Sequence, residues 1–330
     1  MRVLVTGGAG YVGSVSVEVL LDAGHDVVVI DDLSTGHDTA VPSGVDLVRG
    51  SFGDERLVTK TLRDRRIDAV LHCAARSVVG ESMRDPALYY RQNVSGGVAL
   101  LDALRAAGVD RLVFSSSAAV YGVPEVTPIP EDAELRPINP YGETKRAFEA
   151  AMAWYGAAYG LRSASLRYFN VAGATTRNGE VHDPETHLIL NILRAAEGGA
   201  PVTLFGGDYA TADGTAVRDY IDATDLGEAH LAALQATGTG DAESPTAIVC
   251  NLGAGEGRSV LEVLAAAERV VGRPIPHVIG PRRAGDPPTL VAAIDRAKRT
   301  LGWQPRRSTL DAMIGSAWAW REAHPAGYPG

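Results

Sequence analysis

The sequence predicts a doubly wound α/β fold, a parallel sheet of the Rossmann type, with a smaller α/β substrate lobe. Three observations predict it. Short strands and helix-period stretches alternate through the first half. The strands are continuous apolar runs, which suits strands covered on both faces. A glycine-rich turn follows the first strand and opens a helix, in the manner of a dinucleotide site.

In chain order, β-rich runs fall at residues 3–6, 26–30, 46–48, 69–72, 111–115 and 164–168. Helix-period stretches fall between them at 13–23, 85–107 and 141–159. After about residue 170 the alternation loosens. Residues 173–186 and 206–215 read as long polar loops, a length that inside a compact chain is usually functional. Strands follow at 201–205, 216–221 and 247–252, and helices near 260–271 and 309–321. We therefore expect a dinucleotide-binding domain over 1–169 and a substrate lobe over 170–330, with segments near 222–252 returning to the main sheet.

The chain has 330 residues, 45% of them hydrophobic and 22% charged, enough for a sizeable core without disulfides or metal. Its net charge of −9 argues against a nucleic-acid or anionic-membrane partner. The N-terminus reaches a glycine turn too early for a signal peptide, and no apolar run approaches a membrane span, so a cytoplasmic location is expected. Cys73 and Cys250 are far apart in sequence and read as two reduced thiols. The eight histidines show no metal-ligand spacing, His182 and His187 included, and no metal is expected.

Two constellations carry chemistry. Gly7, Gly10 and Gly13 space the turn as Gly-x-x-Gly-x-x-Gly, permitting close approach of a pyrophosphate to the backbone and to the helix N-terminus. Asp31 closes the second strand, where a carboxylate accepts adenosine ribose hydroxyls and repels a 2′-phosphate. With Asp32 beside it, the cofactor reads as NAD. Further on, Ser115-Ser116-Ser117 ends a strand, and Tyr141 and Lys145 stand at i and i+4 on one helix face. A cation beside the phenol, with a positive nicotinamide ring, lowers its pKa toward that of a working base. Ser117 can hold a substrate hydroxyl in line.

These residues give the chain a resemblance. It resembles the extended short-chain dehydrogenase/reductases and, among them, is similar to the UDP-glucose 4-epimerase family. The likeness rests on Gly7–Gly13, Gly80-Glu81-Ser82, Asn93-Val94, Ser115–Gly122, Asn139-Pro140-Tyr141-Gly142 and Leu166–Asn170. It continues through Phe205–Tyr209, Thr211, Asp213–Thr215, Arg218–Ile221, Arg282-Arg283-Ala284-Gly285-Asp286-Pro287 and Leu301-Gly302-Trp303. The resemblance implies epimerisation at C4 of a UDP-hexose. Tyr141 would take the 4-hydroxyl proton, Lys145 would partner it and bind ribose, and Ser117 would orient the sugar O4. Hydride would pass from C4 to NAD, and the 4-keto sugar would turn and receive it on its other face.

The same resemblance implies further cofactor contacts at Tyr11, Val12, Ser51, Phe52, Cys73, Ala74, Ala75, Arg76 and Ser77, and at Asn93, Ser115 and Tyr168. For the substrate it implies Arg218 and Arg283 on the diphosphate and Asn170, Tyr220 and His187 nearby. Asp286 would take the uridine ribose, with Leu188, Thr203, Leu204 and Phe205 around uracil. Departures from the family pattern fall at Ser51, Cys73, Ser77, Ala119, His187 and Leu290. Apolar faces in 94–104 and 147–159 suit a helix–helix contact, and the resemblance implies a homodimer built on two such helices. Alternatives are a 4-epimerase of UDP-N-acetylglucosamine or UDP-glucuronate and, further off, a sugar-nucleotide dehydratase or a non-catalytic NAD sensor. Ala118 and Ala119 supply no acid pair after Ser117 for the dehydratase, and the Tyr–Lys pair argues against the sensor.

Overall fold

The computed structural model describes residues 1–182, 185–238, 247–283 and 286–328. Ala284 and Gly285, quoted above, lie outside the described residues, as do 183–184 of the first polar loop and 239–246 of the returning segment.

The chain opens with β1 (Arg2–Thr6), α1 (Tyr11–Asp22), β2 (Asp26–Asp31), β3 (Asp46–Arg49), α2 (Glu55–Asp64) and β4 (Ala69–His72). Next come α3 (Val79–Arg84), α4 (Pro86–Tyr89), a π-helical turn (Tyr90–Ser95), α5 (Gly96–Ala107), β5 (Arg111–Ser117), α6 (Pro140–Tyr159) and β6 (Arg162–Tyr168). The later half holds β7 (Asn170–Ala172), α7 (Leu188–Ala196), β8 (Val202–Phe205), β9 (Val217–Asp222), α8 (Ala223–Ala236) and β10 (Ala247–Leu252). It closes with β11 (Gly257–Ser259), α9 (Val260–Val271), β12 (His277–Gly280), β13 (Thr289–Leu290), α10 (Asp295–Leu301) and α11 (Leu310–Ala323).

Seven parallel strands form the main sheet in the order β10-β6-β5-β4-β1-β2-β3. The strands bury both faces, so successive apolar residues serve two different cores. Val3, Val5, Leu71 and Val113 pack under the α1 and α8 layer with Val17, Leu226 and Ala229. Leu4, Val70 and Leu112 point the other way and pack with Leu62 of α2 and Leu100, Leu101 and Leu104 of α5. This period-2 partition is what the unbroken apolar runs encode. The order reverses beside β1, where β2 lies on one side and β4 on the other. A crevice at the carboxyl ends of the strands opens there.

The smaller lobe pairs β9 with β7, β11 and β13, and separately β8 with β12. Its core joins Ile192 and Leu193 of α7, Leu204, Ala266 of α9 and Ile314 of α11, all fully or almost fully buried. β10 leaves this half of the chain and adds to the main sheet beside β6, and α8 packs on α1.

The expected helix over 85–107 is broken. Asp85 accepts the Leu88 N–H at 3.0 Å and caps a new helix with Pro86 in its first turn. Residues 90–95 then take a π turn that carries Asn93 inward. Helices α2, α7, α8 and α10 add to the reading; α2 and α7 are amphipathic but only 10 and 9 residues long. No described helix is long and apolar enough to cross a membrane.

Candidate active site

Gly7 follows β1 in the left-handed region at φ +72°, and a Cβ there would lie 2.5 Å from the Ala74 nitrogen. A Cβ on Gly13 would lie 2.0 Å from the Gly7 oxygen, so helix and turn touch only because both are glycine. Gly10 differs. Its missing Cβ has nothing nearer than the Gly7 oxygen at 3.5 Å, and the gap belongs to the cleft. α1 begins there without a side-chain cap, which leaves first-turn N–H groups for a phosphate. The turn thus provides the cradle that NAD requires.

Asp31 stands at the end of β2. Its carboxylate accepts the Ala9 N–H at 3.0 Å and the Leu33 N–H at 2.9 Å, which fixes both oxygens at the cleft. Burial raises its pKa, and the two N–H bonds oppose that rise. Tyr11 donates to the Gly173 carbonyl at 2.6 Å and ties α1 to the lobe.

The cleft has a volume of about 1590 Å³, well above the ~300–1,000 Å³ of a single small-ligand pocket. Gly7, Gly10, Tyr11, Val12, Gly13, Asp31, Asp32, Phe52, Cys73, Ala74, Ala75, Arg76 and Ser77 line one end of it. Ser117, Tyr141, Lys145 and Tyr168 stand at its floor, and Ala119 also borders it. At the other end it is lined by Asn170, His187, Leu188, Thr203, Phe205, Arg218, Tyr220, Arg283, Asp286 and Leu290.

Four expected residues do not line it. Ser51 turns back to accept the Gly53 N–H at 3.1 Å. Asn93 is buried, accepts the Arg76 N–H at 2.9 Å and donates to Arg76 O and Thr144 Oγ1, so it clamps the wall from behind. Ser115 is buried two residues before the strand end, with Oγ 2.9 Å from His230 Nε2. Leu204 alternates with Thr203 and Phe205 along β8 and faces the lobe's core.

At the floor, Lys145 is 2% exposed and donates to the Ser115 carbonyl at 2.7 Å. Its Nζ lies 4.6 Å from the Phe114 ring centre and 5.8 Å from that of Tyr141. Burial lowers its pKa to about 8, against the pull of Cys73 and Glu149. The sequence reading expects a lowered Tyr141 pKa. Here burial raises it, and the hydrogen bond with Ser117 only partly opposes the rise. Desolvation of the buried phenol outweighs the one hydroxyl that opposes it.

Across the cleft, Arg218 pairs with Asp286, and the Arg283 guanidinium sits 4.0 Å over the Phe205 ring centre. The half-exposed His187 is held 2.9 Å from carboxylate oxygens of both Glu180 and Glu185. Burial lowers its pKa, but Glu180 and then Glu185 outweigh that and raise it to about 10. Sequence reasoning missed Ser34, Thr35 and Gly36, which line the cleft just after Asp31 and Asp32. A short run of small polar residues at a strand's carboxyl end was their signal. It also missed Glu180, Glu185 and Arg194, whose loop and short helix carry no motif.

Residues 3–251 match the description "NAD dependent epimerase/dehydratase family". The chain is 50% identical over 331 residues to a UDP-glucose 4-epimerase of Lactobacillus helveticus, covering 99% of each. Among solved structures, it superposes on UDP-glucose 4-epimerase from Brucella ovis in complex with NAD. The TM-score is 0.92 at 44% identity, over 96% of this chain and 97% of that one. The Bifidobacterium longum UDP-glucose 4-epimerase in complex with NAD+ and UDP gives a TM-score of 0.92 at 35% identity, over 99% and 100%. The cradle, the acidic strand end and the Ser–Tyr–Lys floor are thus held on a backbone shared along the full length, and the chain belongs to the NAD dependent epimerase/dehydratase family, in its UDP-glucose 4-epimerase branch.

Proposed function

We propose that Ser117, Tyr141 and Lys145 carry out NAD-dependent 4-epimerisation of a UDP-hexose, with UDP-galactose and UDP-glucose as the pair. The observation that carries this is their convergence on the floor of one cleft, between the glycine cradle and the arginines of the lobe. Bound NAD supplies a hydride acceptor that later returns the hydride.

Ser117 and Tyr141 face the sugar O4 together. Tyr141 takes the hydroxyl proton as C4 is oxidised and gives it back when the ketone is reduced. Its raised pKa makes it a poor base until positive charge gathers around it. Lys145 is one such charge, fixed by the Ser115 carbonyl. Asp31 holds the adenosine ribose. In the lobe, Arg218 and Arg283 grip the diphosphate with guanidinium forks, and Asp286 exchanges Arg218 for ribose hydroxyls. Leu188, Phe205 and the backbone of Thr203 flank the uracil. Ala119 and Leu290 present only apolar surface, and Asn170 a single amide, so the hexose is held loosely enough to turn while its nucleotide stays fixed.

We take residues 1–169 as the NAD domain and 170–330 as the substrate lobe. A homodimer through α5 and α6 is proposed because Val98, Trp154 and Tyr159 are exposed there. The two free cysteines, Cys73 and Cys250, fit a reducing cytoplasm.

Purified chain given UDP-galactose without added NAD should form UDP-glucose, followed by chromatography. Tyr141→Phe should lower kcat by about 10²–10⁴-fold. Equal turnover by the variant would remove Tyr141 from the mechanism.

A further inference from the structure

Beside the catalytic floor, the loop before α7 gathers two carboxylates and two imidazoles that the epimerisation does not need as a set. We propose that Glu180, His182, Glu185 and His187 form a binding site for one divalent transition-metal cation of the zinc class.

One ligand atom from each of the four lies within 4.8 Å of all the others. His187 Nδ1 is 2.9 Å from Oε1 of Glu180 and 2.9 Å from Oε1 of Glu185, and His182 Nδ1 is 3.2 Å from Oε1 of Glu180. Ligands of a tetrahedral zinc, at bond lengths of ~2.0–2.1 Å, stand roughly 3.3 Å apart. Three of the six separations in the cluster are therefore already near ligand spacing, and all lie within 4.8 Å.

The electrostatics ask for a cation. The Glu180 and Glu185 side chains are 7% and 1% exposed, so two carboxylates are withdrawn from water side by side against the His187 imidazole, whose proton a metal ion would displace. Oε2 of Glu185 is buried with no hydrogen-bond partner among the described residues, and His182 Nδ1 lies off the line of any hydrogen bond. Unpaired buried groups of this kind are costly, and a metal ion would satisfy both. Arg194 is close, but its guanidinium donates to the His182 carbonyl and not to the carboxylates. The N-terminus of α7 opposes a cation with about half a charge, which two carboxylates outweigh. Two imidazoles favour zinc or cobalt over magnesium and calcium, which take oxygen ligands.

The site does not depend on the epimerase reading, and its test uses metal alone. Chelator-treated full-length chain should take up one equivalent of Zn²⁺ by calorimetry. One equivalent of Co²⁺ should give the intense visible bands of a four-coordinate site, lost when Zn²⁺ is added. His182→Ala and Glu185→Gln should each weaken binding by about 10–100-fold or more, with circular dichroism unchanged. Should a variant fold poorly, wild-type crystals grown with zinc give an independent answer, an anomalous peak between the four side chains. The proposal is overturned by the absence of a saturating equivalent, by unchanged affinity in both variants, or by a peak elsewhere.

Discussion

Lys145 is a cation that the fold keeps out of water. Its pKa is about 8 here, against ~10.4 in an unfolded chain. The penalty for charging it is fully imposed below pH 8 and disappears above the unfolded value. Lys145→Met, in chain freed of NAD, should therefore raise stability by ~1–2 kcal/mol at pH 7, after allowing for the lost bond to Ser115. The gain should shrink and change sign near pH 10, read by calorimetric melts at several pH values, while kcat collapses. A variant less stable than wild type at pH 7 would contradict this account of Lys145. The glycine turn, Asp31, Tyr141 and Lys145 were legible in the sequence because each motif is local, spanning one turn or one strand end. Ser51, Asn93, Ser115 and Leu204 were placed in the cofactor or substrate shell, and their side chains bond or pack away from the cleft. Only long-range packing decides which side of a strand or turn meets the cleft. The cluster around His187 was missed for a related reason: His182 and His187 were weighed and set aside as metal ligands, and only the fold of the loop brings Glu180 and Glu185 to them.

Elements show the same division. Strands of the main sheet were legible because both faces bury apolar residues. The lobe's β7, β11 and β13, of three, three and two residues, were not, since each is defined by its pairing with β9. One helix start carries more than its own turn. Ser259 accepts the Glu262 N–H at 3.0 Å while Glu262 accepts the Ser259 N–H at 2.7 Å, a reciprocal cap on α9. The Ser259 hydroxyl also donates to Asp213 at 2.5 Å, and Asp213 in turn accepts the Thr215 N–H at 2.9 Å. The cap thus pins the polar loop that ends at Thr215. Ser259→Ala should cost ~1–2 kcal/mol, seen as a lower urea midpoint with unchanged slope. A midpoint equal to that of wild type would mean that the loop is held by other contacts.

On the scale of the molecule, α5 and α6 leave Val98, Trp154 and Tyr159 at 36%, 75% and 57% exposure, with Arg105 stacked 4.9 Å from the Tyr159 ring. Buried aromatics dominate interfaces, and Trp154 is the natural anchor of the proposed dimer. Light scattering should give twice the 34.6 kDa chain mass for wild type and the single mass for Trp154→Asp. A monomeric wild type would overturn the dimer. The doubly wound class was legible from alternation and the glycine turn alone. The return of β10 to the far edge of the sheet was harder to place, because nothing local marks which strand it joins. That return also sets an order of events at the ribosome. The face of α1 that ends at Asp22 is covered by α8, which ends only at Ala236. At ~5–20 residues per second, a nascent α1 waits roughly 10–40 s for its partner. During synthesis its apolar stripe is the natural landing place for a holding chaperone.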